Sequence, residues 1–210
     1  MFKNKQTLQS IIVVILFGFV LFFIGTNGFQ AFTAEVARTN RLLTDKPQFP
    51  NVTLEDSKGR TYSFDEFAGK YVLLTFIYTA CTDVCPKMEV NMAEVYKGIP
   101  KQYLGKDIVF LSISFDTERD DPATLEKYRA YFNSDGETWR MARIPNEEEL
   151  QALLKEFGIV VIPDGNGNFT HNTSFYVVDP TGTLINVLDF QKIDAASDVV
   201  QSLLQQKGEE

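Results

Sequence analysis

Residues Tyr71–Thr79 read YVLLTFIYT, and residues Asp107–Phe115 read DIVFLSISF. Both are continuous runs of apolar and β-branched residues without strict alternation, which is typical of central strands covered on both faces. Between them, apolar residues recur at helical spacing: Met88, Met92, Val95 and Ile99. The order strand, helix, strand predicts a βαβ unit with a right-handed crossover and parallel strands. This unit is the expected core of an α/β fold.

The flanking sequence extends this core in both directions. Asn51–Glu55 and Arg60–Phe64 enclose turn-forming residues and predict an opening β-hairpin. Two helices are predicted between residues 122 and 158, and Thr173–Asp179 with Thr183–Phe190 predicts an antiparallel hairpin before a terminal helix. This order is the thioredoxin arrangement. We therefore expect an α/β, thioredoxin-like fold with a mixed central sheet and an N-terminal β-hairpin.

An apolar segment without charged residues, Leu8 to Ile24, precedes the domain. Its length is at the short end of the roughly 17 to 25 residues that cross a bilayer, and a cleavable signal peptide is the alternative. The best cleavage position, Ala34, has the bulky Phe32 two residues before it, which a signal peptidase disfavours. We therefore expect a single, uncleaved N-terminal transmembrane helix.

Three regions are thus predicted along the chain. Residues 1–27 form a tail and membrane anchor, residues 28–50 a linker, and residues 51–210 the thioredoxin-like domain. A short tail most simply stays in the cytoplasm while the domain crosses, so we expect a bacterial cell membrane protein with its soluble domain on the extracytoplasmic side. The net charge of -8, without a Lys/Arg cluster on the soluble part, argues against nucleic acid as a partner.

The only two cysteines, Cys81 and Cys85, lie between the predicted central strand and its helix. Open α/β sheets place their binding crevice at this position. A bridge between residues so close would remove little unfolded-state entropy, so a purely stabilising role is the weaker explanation. Cys85 at the helix N-terminus is expected to have a lowered pKa, which favours the thiolate that attacks disulfides or binds soft metals. Redox and metal chemistry both remain open.

His171, the only histidine, stands just ahead of the strand that begins the C-terminal hairpin. In a thioredoxin-like fold this position faces the cysteine loop across the crevice. A lone histidine is more often an ordinary loop residue, yet two thiolates and one imidazole suit Cu(I), or Cu(II) with a fourth oxygen ligand. Zinc in a structural site would need a fourth protein ligand.

Three sequence blocks resemble those of the SCO/SenC family, copper-binding factors in the assembly of cytochrome c oxidase, over about residues 45–205. The blocks are Thr79-Ala-Cys81-Thr-Asp-Val-Cys85-Pro86, Ser114-Phe-Asp116-Thr-Glu-Arg119-Asp120-Asp-Pro122, and His171 followed by Ser174-Phe-Tyr-Val-Val-Asp179-Pro-Thr-Gly182. The chain departs from the family pattern at Thr82, Lys87, Met88, Thr117 and Met141–Ile144. None of these departures removes a presumed metal ligand.

The resemblance implies that Cys81, Cys85 and His171 bind copper, with Asp83 or Asp116 as candidates to assist. The alternative for these two carboxylates is a solvated loop residue and a helix-supporting residue, respectively. Thioether ligation by the methionines of the apolar helical stripe is disfavoured, because that spacing is typical of core packing.

Three functions follow from these residues. The first is a metallochaperone that passes copper to the dinuclear copper site of cytochrome c oxidase subunit II, after receiving it from a copper donor. The second is a thiol–disulfide oxidoreductase that reduces the target cysteines through Cys81 and Cys85. The third is a peroxiredoxin-like peroxidase, suggested by Thr82-Asp-Val-Cys85 but weakened by Tyr78 in place of the expected proline.

Overall fold

The computed structural model describes residues 5–26, 28 and 33–208. The chain divides into two compact units, Met1–Thr44 and Asp45–Glu210. Helix α1 (Lys5–Gly25) of the first unit contains a segment that is long and apolar enough to cross a membrane, and none of that segment is buried. The N-terminal residues before Lys5, and Phe32 of the cleavage argument, lie outside the described residues.

A second helix, α2 (Ala34–Asp45), occupies much of the predicted linker. The sequence analysis did not predict this helix, because most of its residues are polar or charged, although its few apolar residues recur with helical spacing. The short stretch that follows is extended along the second unit: the N–H of Phe49 donates to the carbonyl of Gly182, and the N–H of Leu184 donates to the carbonyl of Pro47. Regular structure in the linker therefore starts earlier than expected.

The second unit is built from nine strands. These are β1 (Thr53–Asp56), β2 (Thr61–Ser63), β3 (Tyr71–Ile77), β4 (Ile108–Ser114), β5 (Trp139–Arg143), β6 (Val161–Pro163), β7 (Phe169–His171), β8 (Phe175–Val178) and β9 (Leu184–Leu188). Seven of them form a sheet of order β2-β1-β5-β4-β3-β8-β9, and β6 pairs with β7 in a separate two-stranded sheet. Strands β3, β4 and β5 run parallel and their outer neighbours antiparallel, so the central sheet is mixed, as predicted.

Four helices accompany the sheet: α3 (Val84–Gly98), α4 (Pro122–Ala130), α5 (Glu147–Glu156) and α6 (Ile193–Gly208). Helix α3 connects the central strands, and its stripe of Met88, Met92 and Val95 is fully buried. The prediction that these methionines belong to the core is therefore confirmed. Asp121 caps α4 by accepting from the N–H of Thr124, and Pro122 occupies its first turn.

The parallel pair β3 and β4 sets the place of the cysteines. Their register pairs Ile77 with Ser114, so both strands end at the same edge of the sheet. All but the first residue of β3 and every residue of β4 are buried, which explains their unalternating sequences. The chain leaves β3 at this edge and enters α3, so Cys81 and Cys85 lie at the carboxyl ends of the central strands.

Two features of the second unit also differ from the sequence-based expectation. Strand β5 was not predicted, since arginines interrupt its short apolar pattern. The hairpin of β6 and β7 was also missed, because each strand has only three residues. The prediction that His171 stands in a segment ahead of β8 was thus incomplete: His171 ends a strand of its own, paired with Val161.

Candidate metal centre

The two cysteines lie in a short loop and the first turn of a helix. Cys81 belongs to the loop between β3 and α3 and is 7% exposed, whereas Cys85 in the first turn of α3 is fully buried. The backbone N–H of Cys85 donates to the Cys81 sulfur at 3.3 Å. Both thiols are free, so the structure represents the reduced pair.

His171 reaches this pair from the β6–β7 hairpin. Its Nε2 lies 3.5 Å from Sγ of Cys85, and its Nδ1 lies 2.8 Å from the carbonyl oxygen of Asn172. Because a carbonyl can only accept, Nδ1 carries the proton and Nε2 of the neutral ring presents its lone pair to the sulfur. This is the tautomer that a metal ligand requires, held by a backbone partner on the other ring nitrogen.

Aromatic rings enclose the imidazole. The centroid of the Phe115 ring lies 5.0 Å from that of His171, and the Tyr78 ring lies 6.3 Å from it. Phe169 completes the group by packing edge-on against both Tyr78 and Phe115. Burial in this enclosure lowers the pKa of His171. The ring is therefore kept neutral, which favours metal binding near neutral pH.

The two thiols differ in acidity. A hydrogen bond from the Cys85 thiol, together with the N–H groups of Cys85 and Asp83 and the Tyr78 hydroxyl, lowers the pKa of Cys81 to about 5. The same hydrogen bond and burial raise the pKa of Cys85. The expectation that Cys85 has the lowered pKa was therefore wrong. The helix N-terminus acts on the preceding cysteine, since the N–H groups of the first turn point back at Cys81.

The distance between the sulfur and nitrogen atoms tests whether these side chains can bind the same metal ion. Metal–sulfur and metal–imidazole bonds of about 2.3 and 2.0 Å, at trigonal or tetrahedral angles, separate sulfur and nitrogen by roughly 3.5 to 3.7 Å. The observed 3.5 Å between Cys85 and His171 is close to this value. Across residues 5–26, 28 and 33–208, no three Cys, His, Asp or Glu side chains are close enough to hold a metal. A three-ligand site therefore requires at least one of the three candidate ligands to move from its position beside the reduced pair.

The two candidate acidic residues have other partners. The Asp83 carboxylate, at the N-cap of α3, pairs with Lys87 at 2.6 Å on the exposed surface. The Asp116 carboxylate is buried and pairs with Arg119, whose guanidinium also lies over the Tyr78 and Phe169 rings. These contacts favour the alternative roles, a solvated loop residue for Asp83 and a helix-supporting residue for Asp116.

Glu89, which the sequence analysis did not single out, lies one helical turn beyond Cys85 and is fully buried. Its Oε2 accepts from the hydroxyl of Ser112, which in turn accepts from the indole N–H of Trp139. Burial raises the pKa of Glu89 to about 8. The sequence signal that could have identified Glu89 is a charged residue between Met88 and Met92, next to the apolar stripe of the helix.

Comparison with known proteins identifies the family. The SCO1/SenC family model matches residues 44–205, which is well over half of the chain. The chain belongs to the SCO1/SenC family. The SCO1 protein homolog of Bacillus subtilis is 30% identical to it over 135 residues, covering 63% of this chain and 69% of the relative.

Solved structures have the same fold as this SCO1/SenC chain. Bradyrhizobium japonicum ScoI with copper bound aligns with a TM-score of 0.62 at 24% identity, covering 73% of this chain and 98% of that chain. BsSco, a member of the Sco family of cytochrome c oxidase assembly proteins with a disulfide switch, aligns with a TM-score of 0.63 at 24% identity, covering 75% and 93%. The thioredoxin-like fold predicted from the sequence is confirmed.

Proposed function

We propose that this chain is a membrane-anchored metallochaperone that binds copper through Cys81, Cys85 and His171 and assists assembly of the dinuclear copper site of cytochrome c oxidase subunit II. The observation that carries the proposal is the contact between the only histidine and Cys85, 3.5 Å from Nε2 to Sγ. Membership of the SCO1/SenC family and the copper-bound ScoI structure support the choice of metal.

The donor chemistry favours copper over harder ions. Two thiolates and one neutral imidazole form a soft, low-coordinate set, which suits Cu(I) and accepts Cu(II) when an oxygen ligand or water is added. Copper is the cargo, and the chain supplies the ligands that hold it and release it by exchange with the cysteines and histidines of the target. The carbonyl of Asn172 keeps Nε2 of His171 available throughout.

The N-terminal helix supports a location at a membrane. Thr7–Gly25 has the length and hydropathy of a single span. We propose that it anchors the copper-binding unit on the extracytoplasmic side of a bacterial cell membrane, where the copper donor and the oxidase subunit would be its partners.

Copper titration of the reduced full-length chain in detergent tests this proposal. Wild type is expected to bind one copper ion, and Cys81→Ala, Cys85→Ala and His171→Ala are each expected to bind it more weakly by orders of magnitude. Lys87→Ala, a surface change close to the pair, is the matched control. Equal binding by wild type and His171→Ala would remove copper delivery as the function.

Thiol–disulfide exchange is the second candidate, favoured by the lowered pKa of Cys81. The Cys81 thiolate would attack a target disulfide, form a mixed disulfide and release one target thiolate. Cys85 would then lose its proton and attack the Cys81 sulfur, releasing the second target thiolate and leaving a Cys81–Cys85 disulfide. Two electrons pass to the target without copper, and His171 is not required.

Complementation separates the two candidates. In cells that lack the protein, recovery of oxidase activity by His171→Ala but not by Cys85→Ala would favour thiol exchange. Failure of both variants would favour copper delivery. A peroxidase is not supported, because Cys85 is fully buried and its pKa is raised, whereas a peroxidatic cysteine must be an accessible thiolate.

A further inference from the structure

The Tyr78 hydroxyl joins the strand that carries His171 to the end of β3. It accepts a hydrogen bond from the backbone N–H of Phe169 at 3.2 Å and lies 3.5 Å from the carbonyl oxygen of the same residue. Phe169 precedes His171 by two positions in β7, so the two side chains lie on the same face of the strand. Holding the backbone at Phe169 therefore also sets the position of the imidazole.

The β6–β7 hairpin depends on such a contact. An isolated two-stranded hairpin is at best marginally stable in water, and these strands have three residues each. The outer face of the hairpin gains little from burial, since Val160 is 53% exposed and Ile162 is 56% exposed. Its inner face packs through Phe169 and His171 against the Tyr78 and Phe115 rings. The position of the hairpin is therefore set from the inner side.

The Tyr78 end of this contact is itself fixed. Asp120 is fully buried, and its carboxylate accepts from both the N–H and the hydroxyl of Thr79 and from the hydroxyl of Ser114. This carboxylate ties the chain that follows β3 to the end of β4. The carbonyl of Tyr78 also accepts from the N–H of Cys81 at 3.3 Å. One residue thus contacts the cysteine loop through its backbone, and its hydroxyl contacts both the histidine strand and the Cys81 thiol.

We propose that Tyr78 is a positioning residue of the copper site, whose hydroxyl holds β7 so that His171 faces Cys85 before copper arrives. The inference rests on the proposed copper-binding function. Holding the hairpin in place lowers the ordering cost of binding, because the apparent affinity falls in proportion to the fraction of molecules with the competent arrangement. Tyr78 acts through His171 and is not a ligand in this proposal.

Tyr78→Phe tests the role, since it removes the hydroxyl and keeps the ring. Tyr128→Phe is the matched control, because the Tyr128 hydroxyl is also buried but has no hydrogen-bond partner among the residues that the structure describes. In the reduced, copper-free, full-length chain in detergent, we expect amide exchange at Phe169 to be faster by roughly threefold to tenfold in Tyr78→Phe, with exchange in β4 unchanged. Cu(I) affinity is expected to fall by a similar factor, and the Cu(II) form to show a changed imidazole-nitrogen hyperfine signal.

Two results would overturn the proposal. One is an amide-exchange rate at Phe169 that is the same in Tyr78→Phe as in wild type. The other is an equal loss of copper affinity in Tyr78→Phe and Tyr128→Phe. Failure of the proposed function is recognised separately, because wild type would then bind no copper, or bind it equally well without His171. If Phe169 exchange still responds to Tyr78→Phe in that case, the hydroxyl contact holds the hairpin but its copper role is overturned.

Discussion

The two halves of the candidate copper site are built differently. Cys81 follows a buried central strand of the seven-stranded sheet, and Cys85 lies in the first turn of α3. His171 belongs to a two-stranded hairpin whose outer face is exposed. The cysteine half is therefore fixed by the core, whereas the histidine half is held by a few aromatic and hydrogen-bond contacts. Ligand exchange is therefore expected to begin at the histidine.

The largest expected effect is on the gain in folding stability that copper binding gives, which should differ between substitutions in the two halves of the site. At free copper 100-fold above the dissociation constant, binding should raise the free energy of unfolding of the wild type by roughly 2.7 kcal/mol. Cys85→Ser should abolish this gain, while His171→Ala should retain a smaller part of it. Thermal unfolding of the full-length chain with and without copper measures the difference. Equal gains in all three proteins would contradict the assignment of ligands.

The next effect concerns the two cysteines. With the pKa of Cys81 lowered to about 5 and that of Cys85 raised, Cys81 is the thiolate at every pH above about 5. Alkylation of the copper-free reduced chain with iodoacetamide should therefore modify Cys81 first, with a half-maximal rate near pH 5. Mass spectrometry of the peptides identifies the site. Earlier modification of Cys85, or a midpoint near the ordinary thiol value, would reverse the assignment.

A smaller effect concerns Glu89, beneath the rigid half. Its pKa is raised from 4.5 to about 8 by burial, so the unfolded chain releases this proton at a lower pH than the folded chain. The free energy of unfolding therefore falls as the pH rises between these values. Glu89→Gln removes this loss and should be more stable than wild type at pH 9, by on the order of 1 to 3 kcal/mol.

Urea unfolding at several pH values measures the Glu89 effect. The two proteins should have similar stabilities near pH 4, where the wild-type carboxyl is protonated in both states. Ser112→Thr, which keeps a hydroxyl beside the carboxyl, is a useful control. A constant difference between Glu89→Gln and wild type at all pH values would show that folding does not raise the pKa of Glu89.

The smallest effect is expected on the outer face of the hairpin. Ile162→Ser should change the free energy of unfolding by less than about 0.5 kcal/mol, since the side chain is already 56% exposed. Copper affinity should stay at the wild-type value, because Ile162 and His171 lie on opposite faces of the hairpin. A clear loss of either quantity in denaturation or titration experiments would mean that this face is covered.

Much of the fold was predictable from local patterns. The unalternating runs that became β3 and β4 predict strands buried on both faces, and the apolar stripe of α3 predicts a helix that packs on them. Strand β5 was not predicted because two arginines interrupt its short apolar pattern, and helix α2 was not predicted because most of its residues are polar or charged. Tertiary pairing with β4 explains why Arg140 and Arg143 nevertheless lie in a strand.

The candidate site was predictable as a set of residues but not as a geometry. Spacing placed Cys81 and Cys85 before a helix, and the resemblance to the SCO/SenC family implied that the single histidine is the third ligand. Spacing could not indicate which thiol is the acidic one. That depends on which sulfur receives the N–H groups of the first helical turn, and it is Cys81.

The sequence by itself determined the parallel core and the apolar N-terminal segment, because these follow from local composition and period, and its resemblance to the SCO/SenC family implied the three candidate ligands. Only the tertiary structure decided that His171 lies against Cys85, 86 positions away along the chain. That approach depends on Tyr78 and Phe115, which directly follow the neighbouring strands β3 and β4 and pack against β7. Contacts between residues so distant in sequence leave no periodic signal, so folding must bring them together before they can be recognised.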